Sequence, residues 1–98
     1  MKTALNNGQF EFSHHAFIRI VERNISIMEI QQAGKNATII EDYPEDKYSP
    51  SCLLSGFTTE GRPLHMQVTR METSSDKIKI ITLYQPNARE WVNYTKRR

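Results

Sequence analysis

The spacing of apolar residues changes from a helical period to a period of two near residue 37. Before that point, Ser13 is a suitable N-cap for a first helix, and Asn24 suits the left-handed conformation that often ends one. Ser26-Ile27-Met28-Glu29 then forms a capping box for a second helix, which Gly34 is expected to stop. The pattern therefore predicts a helical N-terminal layer made of two short helices.

The rest of the chain alternates in the manner of β-strands, which we predict at residues 38–43, 51–59, 62–71 and 77–84. The last of these is rich in β-branched residues and apolar on both faces at its centre, which is typical of a central strand. Ahead of the first helix, Phe10-Glu11-Phe12 alternates as a short edge strand does. We therefore predict an α+β fold in which two N-terminal helices pack on a four-stranded, mainly antiparallel β-sheet.

Glu60-Gly61 is a short-hairpin signal between the second and third strands. A two-residue loop there pairs Thr59 with Arg62, and the same count places Gly56 opposite His65. His65 then projects beside a residue without a side chain, on the face away from the core. The face toward the helices is expected to carry Leu53, Phe57, Leu64, Met66 and Val68, and the other face His65, Gln67 and Thr69.

The register of the last strand decides which face carries Thr82 and Tyr84. If Met71 pairs with Lys77, both side chains point toward the helices. If a bulge shifts the register by one residue, both lie beside His65. The sequence does not choose between these two registers.

The first helix has one polar stripe and one apolar face. The stripe, at helical spacing, comprises His15, Arg19, Glu22, Arg23 and Ser26. The apolar face comprises Phe17, Ile20 and Val21, with Ile18 and Ile25 beside them. A histidine and two arginines on one stripe form either a solvated surface or an anion-binding one.

The chain has 98 residues, enough for a single domain with one modest core. We expect that core to span about residues 12–92 and a basic tail to follow at residues 95–98. The net charge of +2 permits a nucleic-acid partner without requiring one.

Cys52, the single cysteine, is expected to be a packed apolar residue. No apolar run has signal-peptide or membrane-span length. These features predict a cytoplasmic protein with no membrane association.

Six residues are candidates for metal-free chemistry on RNA: His15, Arg19, Arg23, His65, Thr82 and Tyr84. Cleavage of RNA through its own 2′-OH needs a base for the hydroxyl proton, an acid for the leaving oxygen and a cation for the phosphate. Histidine and arginine supply these groups near neutral pH. Taken singly, such residues more often serve helix capping, ion pairing or strand packing. The chain has no metal-type Cys/His spacing and no Gly-rich phosphate loop, so we expect no metal or cofactor.

Three ordered motifs carry a resemblance to a known family. They are Ser13-x-His15-Ala16-x-x-Arg19-x-x-x-Arg23-Asn24-Ile25-Ser26, then Gly61-Arg62-Pro63-Leu64-His65, then Ile81-Thr82-x-Tyr84-x-Pro86 with Trp91 after it. Over about residues 12–92 they resemble a small bacterial domain-of-unknown-function family with H-A-x-x-R-x-x-x-R-G-I, G-R-P-L-H and I-T-x-Y-x-P motifs. Asn24 stands where that family usually has glycine, and both residues suit a left-handed cap.

Domains of this kind are grouped with the barnase–EndoU–colicin–RelE superfamily of metal-independent ribonuclease toxins, and the layout also resembles BrnT toxins. The resemblance implies a RelE/BrnT-like fold, RNA as substrate and a cognate antitoxin protein as partner. It implies an endoribonuclease in which His15 and His65 transfer protons, Arg19 and Arg23 hold phosphate, and Tyr84 or Thr82 provides an orienting hydroxyl.

The alternative hypothesis is a non-catalytic module that binds a protein or RNA. Under it, the polar stripe of the first helix is a docking surface and His65 is a structural residue. The two hypotheses differ in geometry, because a shared active site requires His15 and His65 to face one cleft.

Overall fold

Two nine-residue helices precede most of the strands: α1 (His14–Glu22) and α2 (Ile27–Lys35). The computed structural model describes residue 5 and residues 7–8, 10–45, 50–70 and 78–97. Among these residues, no helix is long and apolar enough to cross a membrane. The strands are β1 (Phe10–Phe12), β2 (Thr38–Tyr43), β3 (Ser51–Phe57), β4 (Pro63–Arg70), β5 (Ile78–Tyr84), β6 (Trp91–Val92) and β7 (Lys96–Arg97).

The main sheet has five strands in the order β1-β5-β4-β3-β2, and β6 and β7 form a separate two-stranded sheet. The α+β class is confirmed, but the predicted count of four strands is wrong. The difference is β1, which pairs in parallel with β5, whereas the other pairs of the main sheet are antiparallel. Because β1 covers its outer edge, β5 is an interior strand, as its apolar centre predicted.

The local signals at the helix ends are confirmed with one exception. The Ser13 hydroxyl accepts from the backbone N–H of Ala16, and the Ser26–Glu29 capping box is complete. Asn24 has φ of 54°, the left-handed conformation expected after α1. Gly34, however, does not stop α2, which continues to Lys35 and ends at an Asn36 cap. The Asn36 side chain fixes that end because it exchanges two 2.8 Å hydrogen bonds with the Phe57 backbone.

Both helices pack on one face of the sheet, over a core that includes Leu54, Leu64, Met66, Val68, Ile80 and Leu83. Cys52 is buried in this core, as predicted. The predicted apolar face of α1 is only partly correct: Ile25 lies in the core, but Phe17 and Val21 are 56% and 68% exposed, whereas Ala16 is fully buried. Polar anchors at both ends rotate the helix, since Ser13 Oγ donates to the Ile81 carbonyl and Arg23 Nη1 to the Leu83 carbonyl. Ile20, between these anchors, packs against the core.

The hairpin between β3 and β4 has a five-residue loop rather than the two-residue loop predicted. The Thr58 N–H donates to the Arg62 carbonyl, and the Gly61 N–H donates to the Thr58 carbonyl. Gly61 supplies the positive φ of 88° that this turn requires. The register therefore shifts by one residue, so that Ser55, not Gly56, lies opposite His65.

The shift moves two predicted core residues to the other face of the sheet. Leu64, Met66 and Val68 face the helices as predicted, with Cys52, Leu54 and Gly56 as their partners. Leu53 and Phe57 pair with Gln67 and Pro63, and so lie on the same face as His65. We call this face, which points away from the helices, the outer face.

A β-bulge in β5 settles the register that the sequence left open. Val68 pairs with Ile80 but Gln67 pairs with Thr82, which leaves Ile81 as the extra residue. Beyond the bulge, Tyr84 lies opposite His65. Thr82 and Tyr84 are therefore on the outer face with His65. The proposed pairing of residues 71 and 77 lies outside the described residues.

The C-terminal segment forms a turn and then a small hairpin. The turn begins at Asn87, whose carbonyl accepts from the N–H groups of Glu90 and Trp91. Trp91 then pairs with Arg97 and Val92 with Lys96. Lys96 and Arg97, which the sequence analysis assigned to a basic tail, thus form β7. We call residues 91–97 the C-terminal hairpin.

Candidate functional site

His65 is fully buried on the outer face, at the point where the C-terminal hairpin meets the sheet. Its Nε2 lies 2.6 Å from the Tyr94 carbonyl and its Nδ1 3.2 Å from the Tyr84 hydroxyl. The Trp91 ring packs edge-on against the imidazole at a centroid distance of 4.4 Å. His65 therefore lies beneath the C-terminal hairpin and not, as predicted, beside a glycine.

These partners determine which ring nitrogen of His65 carries the proton. The Tyr94 carbonyl can only accept, so Nε2 is the protonated nitrogen and Nδ1 accepts from the Tyr84 hydroxyl. The Tyr94 carbonyl also accepts from Ser55 Oγ at 2.9 Å, which holds it in place. Burial lowers the pKa of His65 below 6.5, outweighing the hydrogen bond that His65 donates to the Tyr94 carbonyl and the charge of Glu41. The imidazole is thus neutral at neutral pH, with its tautomer fixed.

Tyr84 connects this buried group to an open pocket. Tyr84 is half-buried, and burial raises the pKa of its phenol above 10.0, so the hydroxyl keeps its proton. The pocket has a volume of about 510 Å³. Its lining residues are Arg23, Arg62, Tyr84, Gln85, Asn87, Glu90 and Trp91. We call it the arginine pocket.

The two arginines of the pocket are held differently. Arg62 uses its whole guanidinium: Nε donates to Gln85, Nη1 to Glu29 and the Asn24 carbonyl, and Nη2 to the Arg23 carbonyl. It thereby places a positive charge at the C-terminal end of α1 and ties that end to α2. Arg23 donates from Nη1 to the Leu83 carbonyl at 2.6 Å and is otherwise exposed. Arg62 therefore has a structural role, and Arg23 is the arginine better placed to bind a ligand.

The polar stripe predicted on the first helix is divided in the structure. Arg19 donates to Glu22 at 2.8 Å and from Nε to His15 Nε2 at 3.4 Å, so these three side chains form one exposed cluster. Neither His15 nor Arg19 lines the arginine pocket, whereas Arg23 does. The structure thus gathers His65, Tyr84 and Arg23 around one site, with Thr82 on the same outer face. It does not bring His15 and Arg19 there.

Residues 12–85 match the model of a family described as "Domain of unknown function (DUF4258)". The chain belongs to the DUF4258 family. A search of curated proteins found no match, and neither did a search of solved structures. The DUF4258 match contains both helices and strands β2 to β5, and it ends just after Tyr84. The C-terminal hairpin therefore lies beyond the matched stretch.

Several residues around the DUF4258 site were missed by sequence reasoning. They are Glu41, Ser55, Tyr94 and Arg97, while Trp91 entered only as part of a motif. Glu41 accepts two hydrogen bonds from Arg97, at 2.8 and 3.2 Å, and a further one from the Tyr43 hydroxyl. The sequence does contain one signal for the C-terminal hairpin, at Trp91-Val92-Asn93, where an apolar pair is followed by a residue that tolerates a left-handed turn.

The stability of the DUF4258 domain is expected to fall as the pH drops below about 6.5. Because the folded-state pKa of His65 is lowered, the unfolded chain binds a proton first, and stability rises with pH across that window. The slope from one such group is at most about 1.4 kcal/mol per pH unit. Glu29 and Glu41 contribute only at lower pH, because hydrogen bonds lower the pKa of each carboxyl below 4.5. For Glu29, the bonds from Ser26 and Arg62 outweigh the opposing effect of burial.

Urea unfolding at several pH values between about 7.5 and 5.5 measures this dependence. The His65→Gln variant, which carries no titrating ring, is expected to lose the His65 part of the slope even if it is less stable overall. An unchanged slope in that variant would assign the effect to other groups.

Proposed function

We propose that this DUF4258 domain is a metal-independent endoribonuclease of the toxin–antitoxin type, on a RelE/BrnT-like scaffold. The observation that carries the proposal is the hydrogen bond from the Tyr84 hydroxyl to Nδ1 of His65, at the wall of the arginine pocket. A phenol bonded to a neutral imidazole is a proton-relay pair. The arginine side chains beside it suit a phosphate.

In the proposed reaction, the ribose 2′-OH gives its proton to the Tyr84 oxygen while the Tyr84 proton passes to Nδ1 of His65. The 2′ oxygen attacks phosphorus, and the bond from phosphorus to the 5′ oxygen breaks. The proton then returns through Tyr84 to the 5′ oxygen, which leaves a 2′,3′-cyclic phosphate and a 5′-hydroxyl. The Nε2–H of His65 stays on the ring throughout, and the charge of Glu41 favours the transient imidazolium.

Arg23 is the phosphate holder in this proposal. Among the described contacts, its side chain donates a hydrogen bond only from Nη1. The other guanidinium N–H groups are therefore available to the non-bridging oxygens of the phosphate. Thr82, on the same face as Tyr84, would contact the neighbouring nucleotide. His15 and Arg19, predicted for proton transfer and phosphate binding, have no part in this step because they do not line the pocket.

Changing Tyr84 to Phe tests the relay with the smallest possible alteration, the loss of one hydroxyl. The expected result is a loss of RNA cleavage of about 100-fold or more, in the range for a general acid–base group. The buried Nδ1 of His65 loses its donor, so we expect the free energy of unfolding to fall by about 1–3 kcal/mol, and cleavage is compared at a temperature where both proteins are folded. Cleavage is measured in EDTA with partner-free protein, on an RNA and on the same RNA with a single 2′-deoxy substitution that removes the nucleophile.

Tyr94→Phe is the matched control, because Tyr94 acts on His65 through its backbone carbonyl and not through its ring hydroxyl. It should cleave like wild type and yield cyclic-phosphate ends. If the wild-type protein leaves RNA intact, or if Tyr84→Phe cleaves as fast as the control, the proposed chemistry is wrong.

A specific observation favours the second candidate, a non-catalytic interaction module. The helices expose large apolar side chains, with Phe17 56%, Val21 68% and Met28 67% exposed. Exposed apolar groups on neighbouring helices are typical of a protein-binding surface, which a cognate antitoxin would also need. Intact RNA together with a stable protein complex through these helices would favour the module. Cleavage that a partner relieves would favour the toxin.

A further inference from the structure

The C-terminal hairpin closes His65 off from solvent. The Tyr94 carbonyl occupies Nε2, the Trp91 ring packs on the imidazole, and Ser55 Oγ donates to that same carbonyl. Leu53, on the same face, is only 2% exposed, and His65 is fully buried. The hairpin therefore covers the polar centre of the outer face.

The attachment of the hairpin includes an ion pair at its rim. Arg97 donates to Glu41 from Nε and Nη2, and its guanidinium lies over the Trp91 ring, 4.7 Å from the centroid. The Arg97 side chain is nevertheless 62% exposed, and Glu41 24%. Ion pairs with this exposure contribute little to stability and are screened by salt.

The hairpin itself is short and has a costly turn. Each of its strands has two residues, and isolated two-stranded hairpins are marginally stable. Asn93 and Tyr94 both adopt the left-handed region, with φ of 52° and 60°. Asparagine tolerates this conformation, but a residue with a bulky side chain such as Tyr94 is disfavoured there. The five-stranded sheet beneath it has longer strands and its own core, so the hairpin is the weaker unit.

We propose that the C-terminal hairpin is an autoinhibitory cover, latched by Glu41 and Arg97, which opens to expose His65 while the main sheet stays folded. The cover stands on the geometry alone, but its inhibitory role rests on the proposed ribonuclease function. With the hairpin open, the Tyr94 carbonyl leaves Nε2, and an RNA phosphodiester can reach both Tyr84 and His65.

Chemical modification of histidine with diethyl pyrocarbonate, read by peptide mass spectrometry on the full chain, tests the cover. His14 and His15 are exposed and serve as internal references. In the wild type, His65 should react at least about tenfold more slowly than these two, since it reacts only in the open state. Arg97→Gln and Glu41→Gln should each speed the reaction of His65 by about two- to fivefold, the range expected when an exposed ion pair is lost.

Lys96→Gln is the matched control, because it removes the same charge from the same strand but leaves the Glu41–Arg97 pair intact. It should leave the reaction of His65 unchanged. Equal rates in Arg97→Gln and Lys96→Gln would overturn the latch. The rate of His65 modification is also measured at increasing urea concentrations. If this rate follows the global unfolding equilibrium from zero urea upward, the hairpin does not open on a folded sheet and the proposal is wrong.

RNA cleavage by the same variants separates the cover from the enzyme. Faster modification of His65 without cleavage by any variant upholds the cover and defeats the ribonuclease proposal. Cleavage by the wild type with no change in His65 access in Arg97→Gln upholds the ribonuclease and defeats the cover. Faster access together with faster cleavage in Arg97→Gln supports both.

Discussion

Replacing Gly56 by Ala is expected to destabilise the fold more than any other addition of a single methyl group that we can identify. A Cβ at this position would lie 2.1 Å from the Ala33 carbonyl oxygen and 2.8 Å from its carbon. Both are backbone atoms of α2, so the strand and the helix would have to move apart. Overpacking typically costs about 1–3 kcal/mol and occasionally more, and we expect at least about 3 kcal/mol here because no flexible side chain can give way.

Gly61→Ala is the matched control for Gly56→Ala. A Cβ on Gly61 would meet nothing within 4 Å, and only the positive φ of 88° opposes the substitution. We expect a loss of about 1–2 kcal/mol, the cost of the left-handed conformation. Urea unfolding of both variants measures the difference, and equal losses would refute a steric role for Gly56.

His65→Ala is expected to cost about 3 kcal/mol or more in the free energy of unfolding. The substitution leaves a cavity beneath Trp91, removes one of the two donors to the Tyr94 carbonyl and removes the acceptor of the Tyr84 hydroxyl. His15→Ala makes the same chemical change at an exposed position, where we expect about 0.5 kcal/mol or less. Thermal and urea unfolding of the two variants test this contrast.

A loss of RNA cleavage in His65→Ala would not by itself assign a chemical role to His65. The variant would lose activity by unfolding even if His65 took no part in chemistry. Tyr84→Phe avoids that ambiguity because it removes one hydroxyl and keeps the ring. A His65→Ala variant as stable as His15→Ala would show that the C-terminal hairpin contributes little at this point.

Local signals in the sequence were sufficient to predict the helix starts. The Ser13 N-cap and the Ser26–Glu29 capping box each need only residues three positions apart, so neighbouring sequence determines them. The orientation of α1 was not predictable in this way. Its anchors, the Ile81 and Leu83 carbonyls, lie 68 and 60 residues away in the chain. Large apolar side chains such as Phe17 pointed to the wrong face.

The candidate site was predicted in part, for a similar reason. The alternation of polar and apolar residues along β4 correctly placed His65 on the opposite face from Leu64 and Met66, because successive residues of a strand point to opposite faces of the sheet. The partner across the hairpin was wrong because the length of the loop depended on bonds between Thr58 and Arg62. Trp91, Tyr94 and Arg97 were not predicted as neighbours of His65, since a hairpin of two-residue strands leaves almost no periodic signal.

The bulge at Ile81 has a consequence for the order in which the molecule assembles. In a regular strand, successive carbonyls point in opposite directions, yet Ser13 binds both the Ile80 carbonyl through its N–H and the Ile81 carbonyl through its hydroxyl. Ser13 therefore caps the start of α1 and also binds the bulge that places Tyr84 opposite His65. Because this contact joins residues 68 positions apart in the sequence, the outer face acquires its composition only when the last long strand docks. The nascent chain would then carry no completed site until β5, which ends at Tyr84, has been synthesised.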